Sequence, residues 1–120
     1  MIRILLVLGA LAGCSRGGSD GPACGAVGAK FMALAKDDLE HQGAAIDDTM
    51  RRGVEAQLPA MRDSIVHVCT DSAWSPGVRK CLVDANDRVG FEACEQQLTD
   101  PQRQALDRAA RGEPTEDDSK

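Results

Sequence analysis

Gly53-Val54-Glu55-Ala56-Gln57-Leu58-Pro59-Ala60-Met61-Arg62-Asp63-Ser64-Ile65-Val66-His67-Val68-Cys69 is the stretch that decides the fold. Val54, Leu58, Met61, Ile65 and Val68 recur at steps of four, three, four and three. That spacing places them on one stripe of an α-helix. Pro59 lies inside the stripe. A proline there either kinks a helix or opens a new one at its first turn. The stripe keeps its phase across Pro59, which predicts one kinked helix. Asp47 or Asp48 supplies a carboxylate to cap its start.

Upstream, the segment from Ala23 to about Gln42 has the same period, with Val27, Phe31, Leu34 and Ala35 on one face. Its end is polar, and Gly43 stops or frays it. Downstream, Thr70 to Pro76 reads as a loop. Ser75 caps a third helix with Pro76 at its first position, and Val78, Cys81, Leu82 and Ala85 form its apolar face. Asn86-Asp87 breaks that helix, and Asp87 caps a fourth with Phe91, Cys94 and Leu98 as its stripe. Thr99-Asp100-Pro101-Gln102 reads as a capping box for a fifth helix carrying Ala105, Leu106 and Ala109, which Gly112 ends. No β-alternation of useful length and no internal repeat appear. The fold class is therefore all-α: a small helical bundle of about five helices over residues 23–112.

Aromatic residues are scarce, namely Phe31, Trp74 and Phe91. The core therefore rests on aliphatic residues and many alanines, which bury little area each at roughly 25 cal/mol per Å². Small domains with thin cores commonly need staples. Cys24, Cys69, Cys81 and Cys94 suit that role and predict two disulfides. If the first two helices are antiparallel, Cys24 at the start of one meets Cys69 at the end of the other. Cys81–Cys94 then clips the next two helices. The competing arrangement is Cys69–Cys81 with Cys24–Cys94, and spacing alone leaves both open with the first preferred.

The amino-terminal stretch differs in kind. Arg3 precedes an apolar run from Ile4 to Ala12, too short for the roughly 20 residues of a membrane span. The run ends in Leu11-Ala12-Gly13-Cys14. A basic residue, a short apolar core and small residues before a cysteine resemble the lipobox of bacterial lipoprotein signal peptides. The resemblance implies that residues 1–13 are removed, that Cys14 is lipidated, and that three acyl chains hold the protein to a membrane. Ser15 after the cysteine, in place of aspartate, implies by the same resemblance the outer membrane of a Gram-negative cell, with the domain facing the periplasm. A plain secretory signal cut elsewhere would keep the export and lose the anchor. Residues 14–22 read as a flexible Gly/Ser tether. Residues 113–120 read as a disordered acidic tail.

The chain has 120 residues and a formal net charge of −5; removal of residues 1–13 takes away Arg3 alone and leaves 107 residues at −6. One small domain fits that length. The acidic balance argues against nucleic acid as a partner, which calls for a basic stripe.

Candidate chemistry is sparse. The closest cysteines, Cys81 and Cys94, lack the spacing of a structural zinc site, and no Cys-x-x-Cys occurs. His67 lies two residues before Cys69, a step that points two helical side chains apart. Asp37, Asp38, Glu40, Asp47 and Asp48 cluster beside Gly43, where solvation or capping accounts for them, and no EF-hand spacing is present. Ser64, Ser72 and Ser75 lack a nucleophile frame, and no phosphate loop exists. The expectation is a protein without enzymatic activity, metal, cofactor or small-molecule substrate. Trp74 is read first as an anchor of its loop onto the core, and otherwise as a contact residue for a partner.

Leu98-Thr99-Asp100-Pro101-Gln102 resembles the Leu-Thr-x-x-Gln motif of small helical periplasmic chaperones and stress sensors. That resemblance covers five residues and implies holdase or sensor activity as the alternative to a binding or accessory module. The four-cysteine layout with Trp74 between the second and third cysteines also resembles small uncharacterised exported proteins of Gram-negative bacteria, and implies address and fold but no activity.

Overall fold

The computed structural model describes residues 21–113. Cys14, the lipobox, most of the tether and residues 114–120 of the acidic tail lie outside them. Five helices follow in order: α1 Cys24–Gln42, α2 Asp48–Asp71, α3 Pro76–Asp84, α4 Arg88–Glu95 and α5 Asp100–Ala110. A 3-10 turn, Gly43–Ala45, joins α1 to α2. Among the described residues there is no strand, and no helix is long and apolar enough to cross a membrane.

Local chemistry sets most helix starts. Asp47, Ser75, Asp87 and Thr99 each accept a backbone N–H from three residues on, at Met50, Val78, Gly90 and Gln102. Thr99 and Gln102 close a reciprocal capping box, with the Thr99 N–H donating to Gln102 Oε1 at 3.0 Å. Such caps are worth about 1 kcal/mol each. Helix α1 starts at Cys24 without a side-chain cap; its first turn is held by the Cys24–Cys69 bond instead.

α2 runs through Pro59 as one helix and continues to Asp71, so Thr70 and Asp71 are helical and the expected loop is shorter. The end of α2 explains the loop. The Trp74 N–H donates to the Cys69 carbonyl at 3.1 Å and the Ala73 N–H to Thr70 at 3.3 Å. This is a Schellman closure. Its left-handed position is taken by Ala73, at φ 49°, and not by glycine. The turn drives Trp74 back into the molecule.

α1 and α2 form a hairpin, and α3, α4 and α5 cover one end of it. Disulfides join Cys24 to Cys69 and Cys81 to Cys94, the preferred pairing. Around them Val27, Ile65, Val68, Trp74, Leu82, Phe91 and Leu98 make one buried cluster. Trp74 is 3% exposed, which selects the core role and corrects the alternative of a partner contact. Arg79 then locks the same corner, donating to the Trp74 carbonyl at 3.2 Å and to the Pro22 carbonyl at 2.7 Å. Gln102 ties α5 to the end of α2 through the Ser72 carbonyl at 2.9 Å.

Candidate functional site

The stripe that defines α2 is not buried along its whole length. Leu58, Ile65 and Val68 are buried, but Val54 is 38% exposed and Met61 41%, and Met50, one turn before Val54, is 57% exposed. These three residues and Leu58 form one wall of an apolar groove of about 380 Å³. The opposite side comes from α1, with Phe31, Leu34, Ala35, Asp38, Leu39 and Gln42. α4 extends that side with Arg88, Phe91, Glu92 and Glu95, and Ile46 stands at the turn. Steps of three and four within each helix give each a single face to the groove. Phe31 and Phe91 meet at its base with ring centroids 6.4 Å apart and planes tilted by 51°, a favoured aromatic arrangement.

Charge is unevenly placed. The α2 wall is apolar throughout. The facing wall carries Asp38, Glu92 and Glu95 and one cation, Arg88, whose Nε lies 3.7 Å from Asp38 and 3.7 Å from Glu92. Glu95 is half-buried, and its carboxyl is pushed up to about 7. Burial is the main cause, with the charges of Glu92 and of Asp107 on α5 adding to it. Desolvation favours the neutral form of a carboxyl group, and like charges do the same.

The turn end of the groove is held by Arg51, which donates to the Leu39 carbonyl at 2.7 Å and to Gly43 at 2.8 Å. One turn in from the Cys24–Cys69 bond the helices approach closely. A Cβ on Gly28 would lie 2.5 Å from Val66 Cγ2 and 3.1 Å from Arg62 Cγ.

The other sequence candidates are not brought together. His41 caps the end of α1 and sits by Asp37, the Nδ1–Asp37 carbonyl distance being 2.8 Å; the backbone bond, with the Asp37 charge second, raises its pKa. His67 pairs with Asp71 at 3.2 Å on the surface. The acidic cluster near Gly43 disperses: Asp37 goes to His41, Asp38 to Arg88 and Asp47 to its cap. Among the described residues no group of three or more His, Cys, Asp or Glu is placed to hold a metal ion. The Leu-Thr-x-x-Gln segment is accounted for locally, with Leu98 buried and Thr99 and Gln102 in the capping box. Sequence reasoning missed the groove, because Val54 and Met61 have the spacing of core residues. It also missed Glu95, which has no signal beyond its place one residue after Cys94.

Compared with known protein families, with curated proteins and with solved structures, the chain gives no match.

Proposed function

We propose that this chain is an outer-membrane lipoprotein, held by acyl groups at Cys14, whose helical domain is a non-enzymatic binding or accessory module facing the periplasm. The observation that carries the binding role is the groove. Three large apolar side chains, Met50, Val54 and Met61, stand exposed in line on α2, opposite an acidic wall. Exposed apolar surface of this kind marks interaction sites, and methionine walls adapt to their ligands. The address rests on Leu11-Ala12-Gly13-Cys14 and Ser15. Two disulfides in so small a domain accord with an oxidising compartment.

Two measurements test the reading. Cys14→Ala should release the protein from the membrane fraction, and the wild-type mass should begin at Cys14 with acyl groups attached. Normal membrane partitioning of the variant removes the anchor. A photo-crosslinking residue at Met61, compared in cells with one at exposed Ala56 on the far face of α2, should give adducts that Ala56 lacks. Equal patterns remove the groove as the binding surface.

The exposed methionines also favour a second reading, a holdase for unfolded envelope proteins. That activity would require the apolar wall and would be indifferent to Glu95.

A further inference from the structure

The groove has the shape and charge of a receptor for one kind of ligand, and this inference rests on the groove being the binding surface. Its α1 side runs from Phe31 to Gln42 and its α2 wall from Met50 to Met61. At 1.5 Å per residue each is about 16 Å long, three turns of helix. The exposed side chains Met50, Val54 and Met61 stand one turn and then two turns apart along that length, with the buried Leu58 between the last two. A small ligand sunk at the base, against Phe31 and Phe91, would leave them in water. A segment lying along the groove would cover all three.

The acidic wall restricts that segment further. Arg88 is already shared between Asp38 and Glu92. The neighbours that act on Glu95 are Glu92 from α4 and Asp107 from α5, both acidic, and among the described residues no cation stabilises its charge. The nearest arginine of α5 in sequence, Arg103, is directed to Gln96 and Asp100. α2 presents only apolar groups to the groove. The wall therefore carries two more acids than bases, and its half-buried member lacks a counter-charge.

We propose that the groove takes a short amphipathic α-helix of a partner protein, with its apolar face on Met50, Val54 and Met61 and a lysine or arginine at its edge paired with Glu95. Apolar anchors at helical spacing against a methionine-bearing groove are an established way to seat a helix. The cation sets direction and specificity, because apolar contact alone does not choose between two orientations of a helix.

The test uses the full chain as purified from its membrane, held in phosphatidylcholine nanodiscs, with empty nanodiscs as reference. The probe is a fluorescent amphipathic peptide of about fourteen residues, with leucines on one stripe, a single lysine at its edge and glutamine elsewhere. Its partner probe has glutamine in place of the lysine. Pairing with a cation favours the ionised carboxylate. Affinity for the lysine peptide should therefore rise about tenfold between about pH 6 and about pH 8. Glu95→Gln should flatten that rise, and the glutamine peptide should lack it. Met61→Glu, at an exposed position that folding does not require, should lose both peptides. Equal binding of the two peptides with no pH dependence overturns the proposal in favour of indifferent apolar binding. So does binding of neither peptide, or a groove filled by a second copy of the chain, seen as a concentration-dependent dimer. Crosslinks at Met61 in cells with no peptide bound would leave the groove as the binding surface and remove only this ligand.

Discussion

The α1–α2 hairpin has two ends built from one sequence pattern, and they meet different fates. At the Cys24–Cys69 end the α2 stripe is covered, and Val68 is 1% exposed. Toward the Gly43 turn the same stripe, in the same phase, emerges into solvent at Met61, Val54 and Met50. The difference lies outside the hairpin. α4 reaches toward the turn on the α1 side, where Arg88 meets Asp38, and leaves Met50, Val54 and Met61 on α2 exposed. Helical periodicity states which face is apolar; it does not state how much of that face the rest of the chain covers. Stability therefore concentrates at the stapled end, and exposed apolar surface at the turn end.

That division is open to attack at the stapled end first. The Cys24–Cys69 bond spans 45 residues, and in the loop-entropy account such a crosslink contributes about 4 kcal/mol. Cys24→Ser with Cys69→Ser should lower the denaturant-derived stability by that amount. A loss under about 1 kcal/mol would mean that burial alone holds this end. Leu82, fully buried in the same cluster, should lose about 3 kcal/mol as Leu82→Ala, by transfer and cavity together. Thermal unfolding monitored in parallel with the first variant would show whether both losses belong to one cooperative unit.

Gly28 lies one turn from the Cys24–Cys69 bond and tests how tightly the stapled end is packed. An alanine there gains about 1 kcal/mol of helix propensity, but its Cβ would stand 2.5 Å from Val66 Cγ2. Arg62 can swing aside, whereas Val66 is β-branched and held at χ1, so the helices must separate. Overpacking of this kind costs about 1 to 3 kcal/mol, and a net loss of up to about 2 kcal/mol is expected for Gly28→Ala. A gain in stability would show that the helices part freely here, and that the groove is less firmly set than its walls suggest.

The two ends were also unequally legible in the sequence. The helices and their starts at Asp47, Ser75, Asp87 and Thr99 follow from short-range chemistry, a side chain meeting an N–H three residues on. The disulfide pairing followed from the antiparallel hairpin, though spacing alone left a rival. Trp74 turned inward for a reason the residues conceal: its Schellman closure uses Ala73 where glycine would have announced it. Arg51 and Arg79 reach carbonyls at sequence separations of 8 to 57, except for the short step from Arg79 to Trp74, and no local pattern marks such bonds. The groove was hidden most thoroughly. Val54 and Met61 belong to the core by period and to the surface because α4 packs on α1 and not over them.

Glu95 sits where the two ends meet, and its titration distinguishes them. Its folded carboxyl titrates at about 7 against 4.5 for the free group. The folded state therefore holds more protons than the unfolded state between those values. Stability from this group is complete below about pH 4.5 and is lost as pH rises through about 7. The loss is on the order of 1 to 2 kcal/mol once solvent screening at a half-buried group is allowed for. Denaturant midpoints for wild type and Glu95→Gln should diverge with rising pH, the variant holding its stability while the wild type declines. Parallel curves would place Glu95 in water and leave the acidic wall without its special member.

The smallest effect is expected at the turn end, and its smallness carries the argument. Met50 and Met61 are exposed on the apolar wall, so Met50→Gln with Met61→Gln should change stability by less than about 0.5 kcal/mol. Core residues of the same size lose several times that when truncated. Large apolar side chains that stability does not require call for another reason to be apolar, and binding supplies one. If the double substitution instead lowered stability by about 2 kcal/mol in dilute solution, Met50 and Met61 would be buried by contacts of the isolated chain. The turn end would then be core like the stapled end, and the groove would lose its claim to be a docking surface.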